Sequence, residues 1–323
     1  MKYIAVNKQQ QLIFSVVERP IITASQCLIQ IHAIGVNRAD ILQRQGKYPP
    51  PVGESLILGL EVCGEIVACG DNVKNRHVGD KVFGLVAGGG YAQYAAINVD
   101  HIMTLPKHFS FAQGAAIAEV FLTAYQSLFT LAHLQNQQSV LIHAGASGVG
   151  TAAIQLAKAQ QCYVTVTVSS EEKAQACIAL GADAAINYNK TDFVTWTKEH
   201  HPQGFDVIVD VVAGEYLNKN IKVAALDARI VILALLGGRF SKEVDIAKLL
   251  MKRISIKAST LRNRSDDYKT QLITDFSNDF SQLLENGTIK PVVGKTFSWQ
   301  EAEQAHQLML ANANIGKIVL TVD

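Results

Sequence analysis

The sequence is poor in the features that mark several large classes of protein. Its five cysteines are odd in number and include no C-x-x-C pair, so neither a disulfide framework nor a cysteine-ligated zinc site is predicted. Its 29 lysines and arginines nearly balance its 28 aspartates and glutamates, and there is no long basic run. Binding to nucleic acid or to a membrane surface is therefore not expected.

Long apolar stretches are also missing. The sequence predicts no apolar segment of 18 residues, and the chain opens with the mixed strand MKYIAV rather than with a signal peptide. We therefore expect a cytoplasmic protein with reduced, mostly buried thiols. Its 323 residues, of which 49% are hydrophobic, suffice for two domains with ample core.

One glycine-rich stretch is informative: LIHAGASGVGTAAIQLAK, residues 141–158. Ser147 lies two residues after Gly145, as in the G-x-S-x-G nucleophile motif of hydrolases, but the fifth position is Val149 rather than glycine. The alternative is a phosphate-binding turn between a short apolar strand, Ser139–His143, and a helix that begins near Thr151. Glycines in such a turn let backbone N–H groups and the helix dipole approach a pyrophosphate.

The order of elements after this turn decides between the two interpretations. Apolar runs alternate with helical patterns, so six β units are predicted in all, enough for a doubly wound parallel sheet. The strands after the first are Tyr163–Val168, Ala184–Tyr188, Phe205–Val212, Arg229–Leu235 and Ile254–Thr260, and the helices between them are Glu171–Leu180, Asp192–His200, Tyr216–Leu226 and Asp245–Lys252. We therefore interpret Ser147 as part of a dinucleotide site in a Rossmann-like domain, not as a nucleophile.

The end of the second strand indicates which dinucleotide binds. NAD sites usually place an acidic residue there, about 20 residues past the loop, to hold the ribose 2′-hydroxyl. Here Val168 is followed by Ser169 and Ser170, and Lys173 lies one helical turn later. Two hydroxyls and an ammonium suit a 2′-phosphate, so NADPH is predicted. An alternative stays open, because Ser169 and Glu172 also have the spacing of a capping box.

The first 120 residues have a different pattern, in which short strands are separated by glycine and proline. This pattern suggests a compact antiparallel barrel. The predicted strands are Cys27–Ala33, Gly64–Cys69, Lys81–Leu85 and Tyr91–Ala96, and after Thr260 follow helices near Tyr268–Glu285 and Gln300–Asn312 and a closing strand, Lys317–Val322. Because that strand would rejoin the first domain, we predict a cofactor domain, residues 122–261, inserted into a catalytic domain formed by residues 1–121 and 262–323.

Four motifs, in order, resemble those of one family. The stretch LGLEVCGEIVACGDNVKNRHVGDKVFG, residues 58–84, is similar to the barrel signature of medium-chain dehydrogenases/reductases, and SGVGTAAIQLAK to the quinone oxidoreductase signature. NRADILQRQGKYPPP and NIGKIVL strengthen the match to zeta-crystallin-like NADPH:quinone oxidoreductases. The resemblance covers essentially the full chain. It implies an α/β fold, with a Rossmann-like doubly wound parallel sheet inserted after a GroES-like antiparallel β-barrel domain.

The resemblance also implies chemistry without a metal. The catalytic ligands of the related zinc alcohol dehydrogenases fall on Asn37, Leu60 and Glu119, which do not supply the three protein ligands of such a site. The four-cysteine zinc lobe is missing as well. Without a Lewis acid, a substrate that accepts hydride readily, such as a quinone or an enone, is favoured over an alcohol. We therefore expect an NADPH:quinone oxidoreductase that transfers hydride in a cleft between its domains.

By the same resemblance, the cofactor contacts follow the strand ends and a few positions of the first domain. The implied cofactor-binding residues are Tyr48, Val120, Thr123, Ala146, Ser147, Gly148, Val149, Ser169, Ser170, Lys173, Tyr188, Val212, Leu233, Leu235, Leu236, Ser259, Thr260, Leu261 and Asn314. For the apolar members, ordinary core packing is the alternative.

Two residues are candidates for the chemistry itself. Tyr48, in GKYPPP, would hydrogen-bond the quinone oxygen from a loop that the prolines stiffen, and Asn37 follows a strand that ends near Val36. A tyrosine packed on prolines and a turn-forming asparagine are the alternatives. No residue is an obvious general acid. That absence suits a hydride transfer whose product takes its proton from water, with catalysis mainly by proximity and orientation.

The substrate and the assembly stay open to alternatives. Besides quinone reduction, we consider a reductase of activated alkenes such as 2-enals or enoyl thioesters, and a non-catalytic NADPH-binding or structural protein. The last predicted strand, in RISIKAST (residues 253–260), would leave an apolar edge to the sheet. Members of the resembled family pair this edge across a two-fold axis, so a homodimer is expected.

Overall fold

The computed structural model describes every residue from Met1 to Asp323, and the chain divides into two compact units. The first unit comprises Met1–Leu122 and Arg262–Asp323, and the second comprises Thr123–Leu261. The second unit is therefore an insertion in the sequence of the first.

Fifteen strands and ten α-helices follow one another along the chain. The strands are β1 (Lys2–Val6), β2 (Leu12–Val16), β3 (Gln26–Val36), β4 (Glu61–Cys69), β5 (Lys81–Leu85), β6 (Tyr94–Asn98), β7 (Ile102–Thr104), β8 (Ser139–His143), β9 (Tyr163–Val168), β10 (Ala184–Asn187), β11 (Phe205–Asp210), β12 (Ala224–Ile232), β13 (Ser255–Ala258), β14 (Val293–Ser298) and β15 (Lys317–Thr321). The α-helices are α1 (Arg38–Arg44), α2 (Phe111–Gly114), α3 (Ala118–Tyr125), α4 (Gly148–Ala159), α5 (Glu171–Ala179), α6 (Phe193–His200), α7 (Tyr216–Val223), α8 (Ile246–Met251), α9 (Asp266–Glu285) and α10 (Ala302–Leu310). Short 3₁₀ turns at Val99–His101 and Trp299–Glu301 and a π-helical turn at Gln126–Leu131 complete the regular structure.

The second unit is built on a six-stranded sheet in which every neighbouring pair is parallel. Its strand order is β10-β9-β8-β11-β12-β13, which is the doubly wound order 3-2-1-4-5-6. All five residues of the central strand β8 are buried, as expected where helices cover both faces of a parallel sheet. The predicted Rossmann-like fold is confirmed.

The predicted boundary that differs most from the structure in this unit is the one between α7 and β12. The helical pattern was expected to continue to Leu226 and the next strand to begin at Arg229, but α7 ends at Val223 and β12 begins at Ala224. The residues Ala224, Ala225 and Leu226 favour helix by intrinsic propensity. Pairing decides otherwise, because Ala224 is extended and pairs with Phe205 of β11.

The first unit carries a seven-stranded sheet that is antiparallel except for one pair. Its order is β14-β15-β3-β4-β5-β7, with β6 also paired to β3, and only β14 and β15 run parallel. The long strand β3 organises this sheet: β6 pairs with its first half, β15 with its last four residues, and β4 with most of its length. The predicted antiparallel β domain is confirmed, although β3 extends to Val36 rather than ending at Ala33.

Two expectations from composition can be compared with this structure. The five cysteines form no disulfide, and all except Cys69 are buried. Contrary to expectation, one helical run, Phe111–Leu131, is long and apolar enough to cross a membrane by length and composition alone. Since 72% of its most apolar window is buried inside the protein, it has the character of a core helix.

Candidate functional site

The turn that follows β8 is built around Ser147. Its Oγ accepts a hydrogen bond from the N–H of Gly150 at 3.0 Å, so Ser147 is the N-cap of α4. The helix therefore begins at Gly148, three residues before the predicted Thr151, because the cap satisfies a first-turn donor and draws the glycines into the helix. The first N–H groups of an α-helix have no acceptor within it, and at this N-terminus they can bind an anion.

Close contacts around the turn explain why two of its positions are occupied by glycine. A Cβ atom at Gly145 would lie 2.5 Å from the Cβ of Val166 in β9, and one at Gly150 would collide with the carbonyl oxygen of Gly145. The glycines thus let strand, turn and helix pack closely. Ser147 has its hydroxyl engaged with the backbone and no histidine hydrogen-bonded to it, so the interpretation as a nucleophile has no support.

The end of β9 differs in one respect from prediction. The cap of α5 is Ser170, whose Oγ accepts from the N–H of Lys173 at 3.2 Å; the capping box proposed for Ser169 and Glu172 is wrong. The reason is that Ser169 still belongs to the strand exit, where its carbonyl accepts from the side chain of Asn189. Capping by Ser170 places Lys173 in the first turn of α5, and partial burial lowers the pKa of its ammonium.

The acidic residue nearest to this strand end is already engaged. Glu171 accepts a hydrogen bond from the side chain of Asn187 at 2.9 Å and pairs with Lys190 at 2.9 Å. These contacts lower the pKa of Glu171, with the Asn187 hydrogen bond as the largest cause. A carboxylate held in this way is less available to a ribose hydroxyl, which favours a phosphate at the neighbouring serines and Lys173.

The loops after β11 and β12 are bound to each other. Asp210 ends β11, and its Oδ1 accepts from the N–H of Val212 and of Ala213, at 2.7 and 2.9 Å. The N–H of Gly237 donates to the carbonyl of Val212 at 2.7 Å. The structure therefore brings Val212 together with the segment that contains Leu233, Leu235 and Leu236.

A buried polar chain that sequence reasoning missed supports these loops. Asn220 of α7 donates from Nδ2 to Asp210 Oδ2 at 2.9 Å, so its Oδ1 is the acceptor for His143 Nε2 at 2.7 Å. His143 Nδ1 then accepts from the hydroxyl of Thr167 at 3.0 Å. Burial lowers the pKa of His143, so the neutral ring with hydrogen on Nε2 joins the ends of β8, β9 and β11.

The predicted cofactor residues of the second unit share one location. Nearly all of them follow the carboxyl ends of the six parallel strands, the edge of a doubly wound sheet at which ligands bind. They are Ala146, Ser147, Gly148 and Val149 after β8, Ser169, Ser170 and Lys173 after β9, Tyr188 after β10, Val212 after β11, Leu233, Leu235 and Leu236 after β12, and Ser259, Thr260 and Leu261 after β13. Thr123 does not follow a strand of this sheet but belongs to α3.

The predicted cofactor residues of the second unit differ in how far their side chains are exposed to solvent. Leu235 and Leu236 are 58% and 52% exposed and Tyr188 is 44% exposed, so their side chains are on the surface of the unit. Leu261 and Ala146 are buried.

The first unit contains a second cluster of polar residues, around Asn37. Its Nδ2 donates to Glu61 Oε1 at 3.0 Å, and its Oδ1 accepts from Lys317 Nζ at 2.7 Å. Lys317 Nζ also lies 2.6 Å from Glu61 Oε1, and both charges are almost fully buried. The amide of Asn37 thus hydrogen-bonds to both members of a buried ion pair, Glu61 and Lys317.

Strand register explains why these distant residues meet. Asn37 follows the end of β3, β4 starts at Glu61 beside that end, and β15 starts at Lys317, one residue before Ile318, which pairs with Val36. Asp40, in the first turn of α1, accepts from the N–H groups of Asn37 and Gly59. One feature of the sequence could have indicated this cluster. A charged residue stands at the start of each of two apolar strands, in EVCGEIV and in KIVL.

Glu119 is the third carboxyl group of this cluster. It lies in the first turn of α3, and its backbone N–H donates to Glu61 Oε2 at 2.9 Å. Its own carboxyl makes no ion pair, and the residue as a whole is partly exposed. Burial, followed by the charge of Glu61, raises the pKa of Glu119 to about 8; burial raises that of Asp40 to about 6.

The loop that carries Tyr48 is anchored by Arg262. The guanidinium of Arg262 lies 5.8 Å from the ring centroid of Tyr48, within cation–π range. It also pairs with Glu54 at 2.9 Å and donates to Gln43 Oε1 at 2.6 Å. The Tyr48 loop is thus held by a buried cation as well as by its prolines.

The other predicted residues of this unit are Val120, which is buried in α3, and Asn314, whose side chain donates to the carbonyl of Gly316.

Metal ligands are not grouped anywhere in the structure: no three His, Cys, Asp or Glu side chains are placed to hold one ion. Of the positions that correspond to catalytic zinc ligands, Leu60 has no donor atom, and Asn37 already has its amide engaged with Glu61 and Lys317.

Two family models match the chain. The model described as "Alcohol dehydrogenase GroES-like domain" matches residues 23–107, and the one described as "Zinc-binding dehydrogenase" matches residues 148–278. The first match lies in the antiparallel sheet, and the second covers most of the parallel sheet.

Relatives align over nearly the whole chain. It is 31% identical over 306 residues to the quinone oxidoreductase of Mus musculus, covering 93% of this chain and 90% of the relative. It is 29% identical over 318 residues to the synaptic vesicle membrane protein VAT-1 homolog of Danio rerio, covering 94% of this chain and 66% of that relative. The chain thus spans just under two thirds of the VAT-1 homolog.

Solved structures of similar proteins share the complete architecture. The quinone oxidoreductase of Escherichia coli complexed with NADPH superposes with a TM-score of 0.87 at 27% identity, covering 99% of this chain and 98% of that one. CurK enoyl reductase also superposes with a TM-score of 0.87, at 25% identity, covering 100% of this chain and 99% of that one.

Proposed function

Because the chain belongs to the zinc-free, quinone oxidoreductase-like group of the medium-chain dehydrogenases/reductases, we propose that it reduces quinones with NADPH. It is an oxidoreductase that acts on a small molecule. The choice of a quinone, the roles of individual residues, the assembly and the location are our proposals.

The cofactor is NADPH, and one region of the second unit carries this assignment. The N-terminus of α4, in the tight turn that Gly145 and Gly150 allow, would bind the pyrophosphate through backbone N–H groups. Ser169, Ser170 and Lys173 would bind the 2′-phosphate, because β9 ends without a carboxylate and Glu171 is held by Asn187 and Lys190. The similar quinone oxidoreductase of Escherichia coli was solved with NADPH.

Bound NADPH supplies hydride, and the protein supplies position. Asp210 and the chain through Asn220 and His143 hold the loop of Val212 in one conformation, which limits where a nicotinamide ring can lie. Tyr48 is proposed to hydrogen-bond the substrate oxygen, on a loop anchored by Arg262. Asn37 is proposed to act by positioning Glu61 and Lys317, because both ends of its amide are engaged with them.

A reductase of activated alkenes is the second candidate. The similarity to CurK enoyl reductase, at the same TM-score as the quinone oxidoreductase, favours it. In both reactions the cofactor supplies the hydride, and the protein must place the nicotinamide against the atom that accepts it. A non-catalytic NADPH-binding protein is the third candidate, and fold does not separate the three.

NADPH oxidation with a panel of acceptors tests this proposal. We expect turnover with a 1,2- or a 1,4-quinone, slower turnover with a 2-enal, and none without an acceptor. Lys173→Ala should raise the KM for NADPH, whereas Lys198→Ala, which removes an exposed lysine of α6, should not. Faster turnover with the enal would favour the alkene reductase, and inactivity with every acceptor would reject both enzymes.

We also propose a cytoplasmic homodimer. Strand β13 pairs only with β12, so it is the edge of the parallel sheet, and Ile256 on it is 38% exposed. An unpaired edge of this kind is a ready template for a second strand. Pairing of two β13 strands about a two-fold axis would close it.

A further inference from the structure

Three carboxyl groups and one ammonium share the cluster around Asn37. The carboxyl groups belong to Asp40, Glu61 and Glu119, and the ammonium belongs to Lys317. Around Glu119, the charged groups that act on it are Glu61 on β4, Lys317 on β15, Asp40 on α1 and Lys269 on α9. Like charges so close together in a dehydrated site disfavour full ionisation, so one carboxyl group retains a proton at neutral pH.

The hydrogen bonds of the three carboxyl groups identify the one that retains a proton at neutral pH. Glu61 accepts from Lys317, from the Asn37 amide and from the N–H of Glu119, all of which stabilise its charge. Asp40 accepts from two backbone N–H groups and from the hydroxyl of Tyr91 at 3.3 Å. The carboxyl of Glu119 has no ion pair, and it faces the charge of Glu61. The proton therefore resides on Glu119, consistent with a pKa of about 8 beside one of about 6 for Asp40.

Accessibility singles out the same residue. Asp40 and Glu61 are 0% exposed, whereas Glu119 is partly exposed and can exchange its proton with a bound molecule or with water. Two carboxyl groups whose environments separate their pKa values are a recurrent arrangement for acid catalysis. Glu119 also directly precedes Val120, a predicted cofactor contact. Its backbone N–H is hydrogen-bonded to Glu61, which also accepts from the amide of Asn37.

We propose that Glu119 is the general acid that protonates the reduced substrate. The inference rests on the proposed quinone reduction. Transfer of one hydride converts a quinone into a hydroquinone anion, and the O–H bond of Glu119 breaks as the second O–H bond of the hydroquinone forms. Water then returns a proton to the carboxylate. The sum is one quinone, one NADPH and one proton converted into one hydroquinone and one NADP⁺.

The Glu61–Lys317 pair positions this acid and returns it to its starting state. It holds the first turn of α3 through the N–H of Glu119. After proton transfer, the new carboxylate lies beside the carboxylate of Glu61, and their repulsion favours reprotonation from solvent. Glu119→Gln keeps the backbone N–H, the side-chain volume and a hydrogen-bond donor, and it removes only the transferable proton.

Infrared spectroscopy tests the protonation directly in the protein without cofactor. The C=O stretching band of a protonated carboxylic acid should be present at pH 7, disappear as the pH rises through about 8, and be missing in Glu119→Gln. The matched control Glu285→Gln, which alters an exposed residue at the end of α9, should keep the band. A wild-type protein without a band that titrates in this range would overturn the proposal.

Kinetics test the transfer. With a quinone that the wild type reduces, kcat should fall above pH 8 and decrease in D₂O. Glu119→Gln should lower kcat on the order of 100-fold, the lower limit for a general acid because water can substitute, and remove both the alkaline decline and the isotope effect. Its KM for the quinone, its NADPH affinity and its Tm near pH 7 should stay near the wild-type values.

The two proposals fail in different ways. A wild type that reduces no quinone rejects the proposed function, whatever the infrared spectra show. An active wild type without an alkaline decline, or a Glu119→Gln variant within threefold of wild-type kcat, rejects the role of Glu119 alone. If Glu119→Gln is poorly folded, the wild-type pH profile and D₂O effect still decide the question.

Discussion

Replacement of Lys317 by methionine should destabilise the first unit strongly. Its ammonium contacts Glu61 Oε1 at 2.6 Å, Asn37 Oδ1 at 2.7 Å and the carbonyl of Val36 at 2.8 Å, and the partner carboxylate is fully buried. Lys317→Met keeps an unbranched side chain that is one atom shorter than that of lysine, but leaves Glu61 without its counter-charge. Breaking a buried pair on one side costs about 3–5 kcal/mol. For a unit of this size, that corresponds to a fall in Tm of roughly 6–20 °C.

Differential scanning calorimetry on a small set of variants can measure this effect. Lys107→Met, which removes an exposed lysine of the same unit, is the control and should change Tm by less than about 2 °C. The double variant Glu61→Gln, Lys317→Met removes both charges and should recover much of the loss, because no unpaired charge is left buried. A Tm for Lys317→Met equal to that of the control, or a double variant whose loss is the sum of the two single losses, would refute the reasoning.

Three further predictions concern the cofactor and the assembly. Lys173→Ala should weaken NADPH binding about tenfold, by roughly 1–2 kcal/mol for one charge-assisted contact, and leave NADH affinity unchanged in fluorescence titrations; equal loss for both would assign Lys173 a structural role. Ser147→Ala should cost on the order of 1 kcal/mol through the lost cap and hydroxyl, whereas Ser147→Val should depress both NADPH binding and turnover; labelling of Ser147 by a fluorophosphonate would contradict the assignment. Light scattering at micromolar concentration should give the mass of a dimer, and a charged residue at Ile256 should yield monomers.

The parallel sheet could be predicted because each of its strands has a recognisable pattern in its own local sequence. Strands such as Tyr163–Val168 are short β-branched runs, and the predicted and observed bounds of that strand agree. Local signals failed where pairing decided the conformation. At Ala224 the helical propensity of the residues is overruled by β11, and at the end of β9 two adjacent serines have equal capping chemistry, so that the exit of the strand selects Ser170.

The cluster around Asn37 could not be predicted from spacing. Asn37 was identified as a candidate from its place after a strand, but its partners Glu61, Glu119 and Lys317 are far from it in the sequence. They meet only because β3, β4 and β15 are aligned in one register. The absence of an obvious general acid in the sequence reflects the same limit, because a carboxyl group becomes an acid at neutral pH only through neighbours that folding supplies.

The pairing of β15 with β3 has a consequence for the order in which the molecule is made. A ribosome releases the whole of the second unit, Thr123–Leu261, before it has synthesised the strand that completes the first. The inserted unit can therefore fold while its host is still unfinished. During that interval Glu61 has no Lys317 to pair with, so the nascent first unit carries an uncompensated charge at the centre of its sheet. Chains that terminate before residue 317 should accordingly present a folded cofactor unit attached to an open β-sheet, which is the kind of species that chaperones and proteases recognise.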